Sequence, residues 1–280
     1  MDKVKIITDS TCDLDEEIVL ENDIEVVPLN ICFGNEFFLD KIQINLKQMF
    51  ERIKSSSFFP KTTQVNPQKF INIYKEYLNN GFKIISMHIS SNMSGTYNSA
   101  LIAKDYFNND DDIQVVDTHN VTGGLGLLVL EAAKNIKNGF GFADTLDKVK
   151  NLIPRVKNII ILDTFENLIR GGRLNKAIGL IGNILDIKPI IEMEDGTPVL
   201  KDKARGIKKA KKYLMDFIDN IHPDKILDLM LMDSLNSELK NFAKEKLIER
   251  GIKFLESTIG CTVGAHAGER ACGVFYIENC

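Results

Sequence analysis

Apolar residues gather in short β-rich runs from the start of the chain: Val4 to Thr8, Ile24 to Phe33, Ile84 to Ile89, Ile113 to Asp117 and Ile159 to Leu162. Most are apolar throughout, the pattern of strands covered on both faces. Between them the spacing changes to the helical repeat, over Pro67 to Leu78, Thr96 to Phe107, Leu125 to Ile136 and Leu146 to Ile153. Strands separated by helices predict a mostly parallel α/β sandwich. After Pro154 the order changes. Short helices are expected around Phe165 to Leu185, and Ile187 to Glu192 and Thr197 to Lys201 flank Glu194-Asp195-Gly196, a hairpin turn signal. Helices at Gly206 to Asn220 and Ser237 to Arg250 then alternate with strands at Ile226 to Met232, Lys253 to Thr258 and Gly273 to Glu278. The expectation is two domains, an N-terminal α/β domain over residues 1–155 and a smaller C-terminal α+β domain over residues 156–280.

Composition narrows the function classes. With 280 residues, 44% of them apolar and 26% charged, the chain can bury a sizeable core. No apolar run reaches the roughly 18 residues of a membrane-spanning helix. Leu125 to Ala133 is near the longest, and it carries Glu131. The amino end has no basic patch followed by an apolar run, so the chain reads as cytoplasmic, unexported and without stable membrane insertion. Its net charge is −4 and both signs are interspersed, which leaves no footprint for nucleic acid. The five cysteines (Cys12, Cys32, Cys261, Cys272 and Cys280) show no Cys-x-x-Cys spacing and no neighbouring His, so free thiols are expected, not disulfides or a metal site.

Several clusters could carry chemistry. Thr8-Asp9-Ser10-Thr11, Asp117-Thr118-His119 and Asp163-Thr164 end strands, where ligands collect in open α/β sheets; they also suit helix caps, Thr11-Cys12-Asp13-Leu14 before Glu16 to Leu20 above all. Ser90-Ser91-Asn92-Met93-Ser94-Gly95-Thr96-Tyr97 follows a strand and opens a helix, so Ser94 could join backbone N–H groups around an anion, cap the helix or act as a nucleophile. A nucleophile elbow needs Gly-x-Ser-x-Gly, and Asn92 and Thr96 stand where the glycines should be. Pro60-Lys61-Thr62-Thr63-Gln64 reads as a polar linker offering hydroxyls. Gly123, Gly124 and Gly126 lack the third glycine of a dinucleotide fingerprint, and no Gly-x-x-x-x-Gly-Lys loop is present, so no nucleotide cofactor is expected. Arg170-Gly171-Gly172-Arg173-Leu174-Asn175-Lys176 suits a phosphate, an acidic partner or a solvated turn. Gly260 to Gly268 reads as a glycine-rich loop around His266.

Taken in order, the chain resembles the DegV family of fatty-acid-binding proteins nearly end to end. The resemblance rests on Ile7-Thr8-Asp9-Ser10-Thr11, Val26-Val27-Pro28-Leu29, Lys61-Thr62-Thr63-Gln64, Ser91-x-x-Ser94-Gly95-Thr96-Tyr97, Val116-Asp117-Thr118, Arg170-Gly171-Gly172-Arg173, Ile187-Lys188-Pro189-Ile190 and Gly264-x-His266-x-Gly268. It implies a lipid tunnel between two domains, in which one long-chain fatty acid is bonded through its carboxylate by Thr62 and Ser94, with His266 nearby. It also implies a non-catalytic carrier that presents the acid to a separate ATP-dependent fatty acid kinase, feeding acyl phosphate into phospholipid synthesis, with Arg173, Arg170 and Lys176 docking the kinase. The family's usual Gly-Pro-Gly after the His is replaced by Gly268-Glu269-Arg270-Ala271. Glu269 would repel a carboxylate unless Arg270 pairs with it or both face solvent. The rival reading is a lipid ester or thioester hydrolase with Ser94 as nucleophile and His266 as base.

Overall fold

The computed structural model describes residues 2–56, 58–173, 186–224, 228–235 and 238–279. The chain opens with β1 (Lys3–Asp9), a single 3-10 turn at Ser10–Cys12, α1 (Glu16–Glu21) and β2 (Ile24–Val27). The long strand expected from Ile24 to Phe33 is broken. Pro28, with no N–H to give to a ladder, separates β2 from β3 (Asn30–Phe33), and the two belong to different sheets. Next come β4 (Glu36–Leu39), α2 (Leu46–Ser55) and β5 (Lys61–Thr63). The segment expected as a polar linker is thus in part a strand, held by pairing to β3 in a small antiparallel sheet of order β4-β3-β5. The chain continues through α3 (Pro67–Asn79), β6 (Phe82–His88), α4 (Thr96–Tyr106), β7 (Ile113–Asp117), α5 (Gly123–Lys137) and α6 (Phe142–Leu152).

The parallel sheet has the order β2-β1-β6-β7. Ile7, Ile84 and Ile113 pack with Phe70, Tyr74, Ala100 and Ala103 of α3 and α4 on one side. The chain leaves β1 in one direction and β6 in the other, so a crevice opens beyond the carboxyl ends of these two neighbours. Asp9 staples them: its Oδ2 lies 3.0 Å from His88 Nδ1 and accepts from Ile89 N at 3.1 Å.

The remainder supplies β8 (Val156–Ile161), α7 (Glu166–Arg170), β9 (Ile187–Glu194), β10 (Thr197–Arg205), α8 (Gly206–Asn220), β11 (Leu229–Asp233), α9 (Glu238–Glu249), β12 (Leu255–Thr258), α10 (Cys261–Ala267) and β13 (Cys272–Ile277). The strands form one mixed sheet, β10-β9-β8-β13-β11-β12, antiparallel except at β11 and β12. The expected hairpin joins β9 to β10, its turn residues Asp195 and Gly196 both at positive φ. Most of the helical stretch expected up to Leu185, and the first residues of the strand expected from Ile226, lie outside the described residues. The glycine-rich loop expected around His266 is a helix, α10.

One face of the six-stranded sheet packs Ile159, Ile161, Leu231 and Val274 against Leu214, Ile218, Leu239 and Ala243 of α8 and α9. Helix α5 lies on the other side, buried from Gly123 to Ala133 and in contact with both β1 and β13. That position explains a run apolar on all sides. Among the described residues no helix is long and apolar enough to cross a membrane.

Candidate functional site

Between the carboxyl ends of the parallel sheet and the free part of the mixed sheet lies a cavity of about 330 Å³. Strand register builds its floor. Met232 pairs with Gly273, Gly273 with Ile160, and Ile160 with Ile191, so the four form one row across β11, β13, β8 and β9. Paired residues share a face of the sheet, and this face lines the cavity, with Phe275 and Met193 two residues along. A Cβ at Gly273 would overlap the Phe275 ring, so glycine there lets the ring lie across the floor. The facing walls come from Ile89 and Met93 after β6, Val121 after β7, and Val263, His266 and Ala267 on α10. The last three share one side of their helix through i, i+3 and i+4 spacing.

Polar groups enter this apolar space beside Thr62. β5 alternates, leaving Lys61 and Thr63 exposed and turning Thr62 inward, where its Oγ1 meets His266 Nε2 at 3.0 Å. Burial, and secondarily the charge of Arg173, push the His266 imidazole down to about 4, so it is neutral at pH 7. Among the described residues its Nδ1 is buried without a partner, against Gly171, where a Cβ would overlap the ring. A proton on Nδ1 would be a buried donor without an acceptor, so the hydrogen-bond pattern assigns it to Nε2, which donates to Thr62. The hydroxyl hydrogen of Thr62 is then left to donate elsewhere.

Ser94 lines the same cavity from the loop between β6 and α4. Its Oγ lies 3.0 Å from Thr96 Oγ1 and accepts from Thr96 N at 3.3 Å, so it also serves the start of the helix. The structure therefore brings Thr62, Ser94 and His266 to one cavity. The hydroxyl bonded to His266 is Thr62's, and Ser94 pairs with Thr96.

Arg173, which the resemblance assigns to docking a kinase, is part of the cavity wall; its Nε donates to Met93 O at 3.3 Å and its Nη1 to Gly171 O at 2.7 Å. Arg170 is on the surface, paired with Glu166 at 2.6 Å and stacked over the Phe59 ring. Lys176 lies outside the described residues. Glu269 pairs with Lys54 at 2.7 Å and Arg270 with Asp163 at 2.5 Å, so the departure after His266 is neutralised by two separate partners. The carboxylates at two of the strand ends are bonded within the protein: Asp117 accepts from His119 N at 3.0 Å, and Asp163 pairs with Lys188 at 2.6 Å. Of the described cysteines, Cys12, Cys32 and Cys261 are free and buried, and Cys272 is buried. Sequence reasoning missed the floor row, because alternation within a strand does not say which strands become neighbours.

Fold and cavity together define an α/β protein enclosing an apolar site with hydroxyl groups in its wall. The profile of the DegV family of uncharacterised proteins matches residues 3–279. A DegV domain-containing protein of Clostridium acetobutylicum is 44% identical over 279 residues, covering 100% of both chains. A DegV family protein from Thermus thermophilus, whose structure is described as fatty acid binding, superposes with a TM-score of 0.89 at 25% identity, covering 99% of this chain and 100% of that one. DegV of Bacillus subtilis, described as a fatty acid binding protein, gives a TM-score of 0.87 at 26% identity and 100% coverage of both. The chain belongs to the DegV family.

Proposed function

We propose that this chain binds a single long-chain fatty acid in the cavity, tail along the floor row and carboxylate at Thr62 and Ser94. The observation that carries this reading is an apolar cavity of about 330 Å³ into which two hydroxyls and a neutral imidazole project. The relatives described as fatty acid binding support it. Burying a tail of about sixteen carbons is worth roughly 0.8 kcal/mol per methylene, on the order of 12 kcal/mol before association costs. Affinity therefore comes from the tail, while the hydroxyls set which way round it lies. His266 orients Thr62 by donating to its oxygen, which frees the threonine hydrogen for a carboxylate oxygen. The hydroxyls hold the carboxylate as neutral donors, while Arg173 in the wall donates to Met93 O and Gly171 O, so no tight ion pair blunts the nucleophilicity of the acid.

That chemistry suits a non-catalytic carrier acting in the cytoplasm. The acid is presented to a separate ATP-dependent fatty acid kinase, and the acyl phosphate enters phospholipid synthesis. Arg173, at the cavity wall, and Arg170, on the neighbouring surface, are the residues we assign to docking that kinase, with Lys176. We place the division between the two domains near residue 155, ahead of β8, where the described strands pass from the parallel to the mixed sheet.

Denaturing the purified protein and measuring the extract by mass spectrometry should yield about one fatty acid per chain. A lipid-free extract, together with failure to take up added palmitate, would overturn the reading. Arg173→Ala should leave lipid content unchanged and slow phosphorylation by the kinase; loss of lipid would instead make Arg173 a ligand contact.

A further inference from the structure

The helix that carries His266 starts on carboxylates from the other end of the chain. Gly260 N donates to Asp13 Oδ1 at 2.7 Å, Cys261 N to Asp40 Oδ1 at 2.8 Å and Thr262 N to Asp40 Oδ2 at 3.3 Å. Asp13 is 0% and Asp40 1% exposed. Ser10 Oγ donates to Asp40 Oδ2 at 3.0 Å, and Lys41 Nζ stands 3.3 Å from Asp13 Oδ1. Three residues before Gly260, Ser257 Oγ lies 2.6 Å from both the backbone oxygen of Asp13 and Asp15 Oδ1. The strand end and first turn leading into α10 are thus bound to residues 10–15 and 40–41.

Burying two carboxylates is costly, and burial does push the Asp13 carboxyl above its ordinary range, against the pull of Lys41. A local Ser or Asp at the N-cap would satisfy the helix at less expense. The N-cap here is Gly260, which has no side chain to offer. A remote cap does something a local one does not: it fixes where the helix sits as well as that it forms. The segment Thr11-Cys12-Asp13-Leu14 was expected to cap α1; the cap of that helix is Asp15, which makes no side-chain bond to it.

We propose that Asp13 and Asp40 are positioning residues for the cavity: by anchoring the first turn of α10 they set the place of Val263, His266 and Ala267 on its cavity side. The consequence for ligand retention rests on the fatty-acid reading; the anchoring itself does not. Transfer of bound palmitate to phosphatidylcholine vesicles, well below the melting temperature, should be about tenfold faster in Asp40→Ala and in Asp13→Ala, the change that loss of one charge-assisted hydrogen bond brings. Asp40→Asn keeps one acceptor oxygen and should fall between them and the parent. Ile84→Ala, a core deletion in the parallel sheet, controls for stability and should release palmitate at the parent rate. The ligand-free reading is the ¹⁵N resonances of the His266 ring in delipidated Asp40→Asn, which should move as the bond to Thr62 loosens. Unmoved ring resonances overturn the proposal, as does equal acceleration in Ile84→Ala. Palmitate that never binds the parent protein sinks the fatty-acid reading instead, and leaves the His266 resonances to decide the anchoring.

Discussion

The cavity floor is a row of neighbours within one sheet, Met232, Gly273, Ile160 and Ile191, whereas Thr62, Ser94 and His266 stand on three separate elements. The floor needs only the right register; once β8, β9, β11 and β13 pair, its apolar face follows from alternation. The polar groups need three placements at once: an edge strand three residues long, a loop after a parallel strand, and a helix anchored from a distance. Apolar burial is non-directional and tolerant of small shifts, while hydrogen bonds weaken steeply with misalignment. On the proposed fatty-acid reading, tail affinity and head register fall to regions of different positional tolerance, and substitutions should separate them.

The largest effect should come from filling the floor. Ile191→Trp adds bulk to the row and excludes part of the tail. Loss of about four buried methylenes costs about 3 kcal/mol, roughly a hundredfold in Kd for a palmitate-sized acid. Mass spectrometry of the extracted lipid should show a shift to shorter chains. Retention of the parent's chain lengths would mean that the tail does not run over Ile191.

Next is a pH effect of His266, measured without ligand because a bound carboxylate would push the imidazole the other way. The folded chain holds this ring at about 4 against an ordinary 6.5. Between those values the unfolded chain binds a proton that the folded chain refuses, so stability falls as pH drops from 6.5 towards 4. The loss amounts to on the order of 3 kcal/mol at about 1.4 kcal/mol per pH unit. In His266→Gln that part of the slope should vanish from denaturant titrations across the same window; an unchanged slope would place the penalty elsewhere.

Thr62→Val keeps the shape of the side chain and removes the donor. Palmitate should still bind, with Kd weakened about tenfold, since one hydrogen bond to a charged group is worth roughly 1.5 kcal/mol. Adding Ser94→Ala should weaken binding again without abolishing it. Complete loss of lipid in Thr62→Val would show that the head, and not the tail, dominates affinity.

The contrast between floor and polar groups also decides what could be read from sequence. The parallel strands and their helices were legible because apolar runs and helical spacing are local, and the hairpin at Asp195 and Gly196 because its turn chemistry is local too. β5 was not: three residues carry no period, and pairing to β3 makes the strand. α10 was not: Gly264 disfavours a helix locally, and the bonding of Asp13 and Asp40 to its first turn works against that. Thr62, Ser94 and His266 were recognisable as a set from motif resemblance, but that His266 bonds Thr62, and that Arg173 walls the cavity, required the fold.

The smallest effect should be at the loop that departs from the family pattern. Glu269 pairs with Lys54 across the surface, and its side chain is 35% exposed. An exposed pair of this kind is worth at most about 1 kcal/mol, because water and salt screen it and two long side chains must be ordered to form it. Glu269→Ala should therefore lower stability by less than about 1 kcal/mol, an effect that fades in high salt, with lipid content and chain length unchanged. If the variant lost its acid, the pair would be acting on the cavity through Gly268 and the end of α10, where Ser234 Oγ donates to Gly268 O at 2.6 Å. The division between a tolerant floor and a demanding head would then extend into this loop.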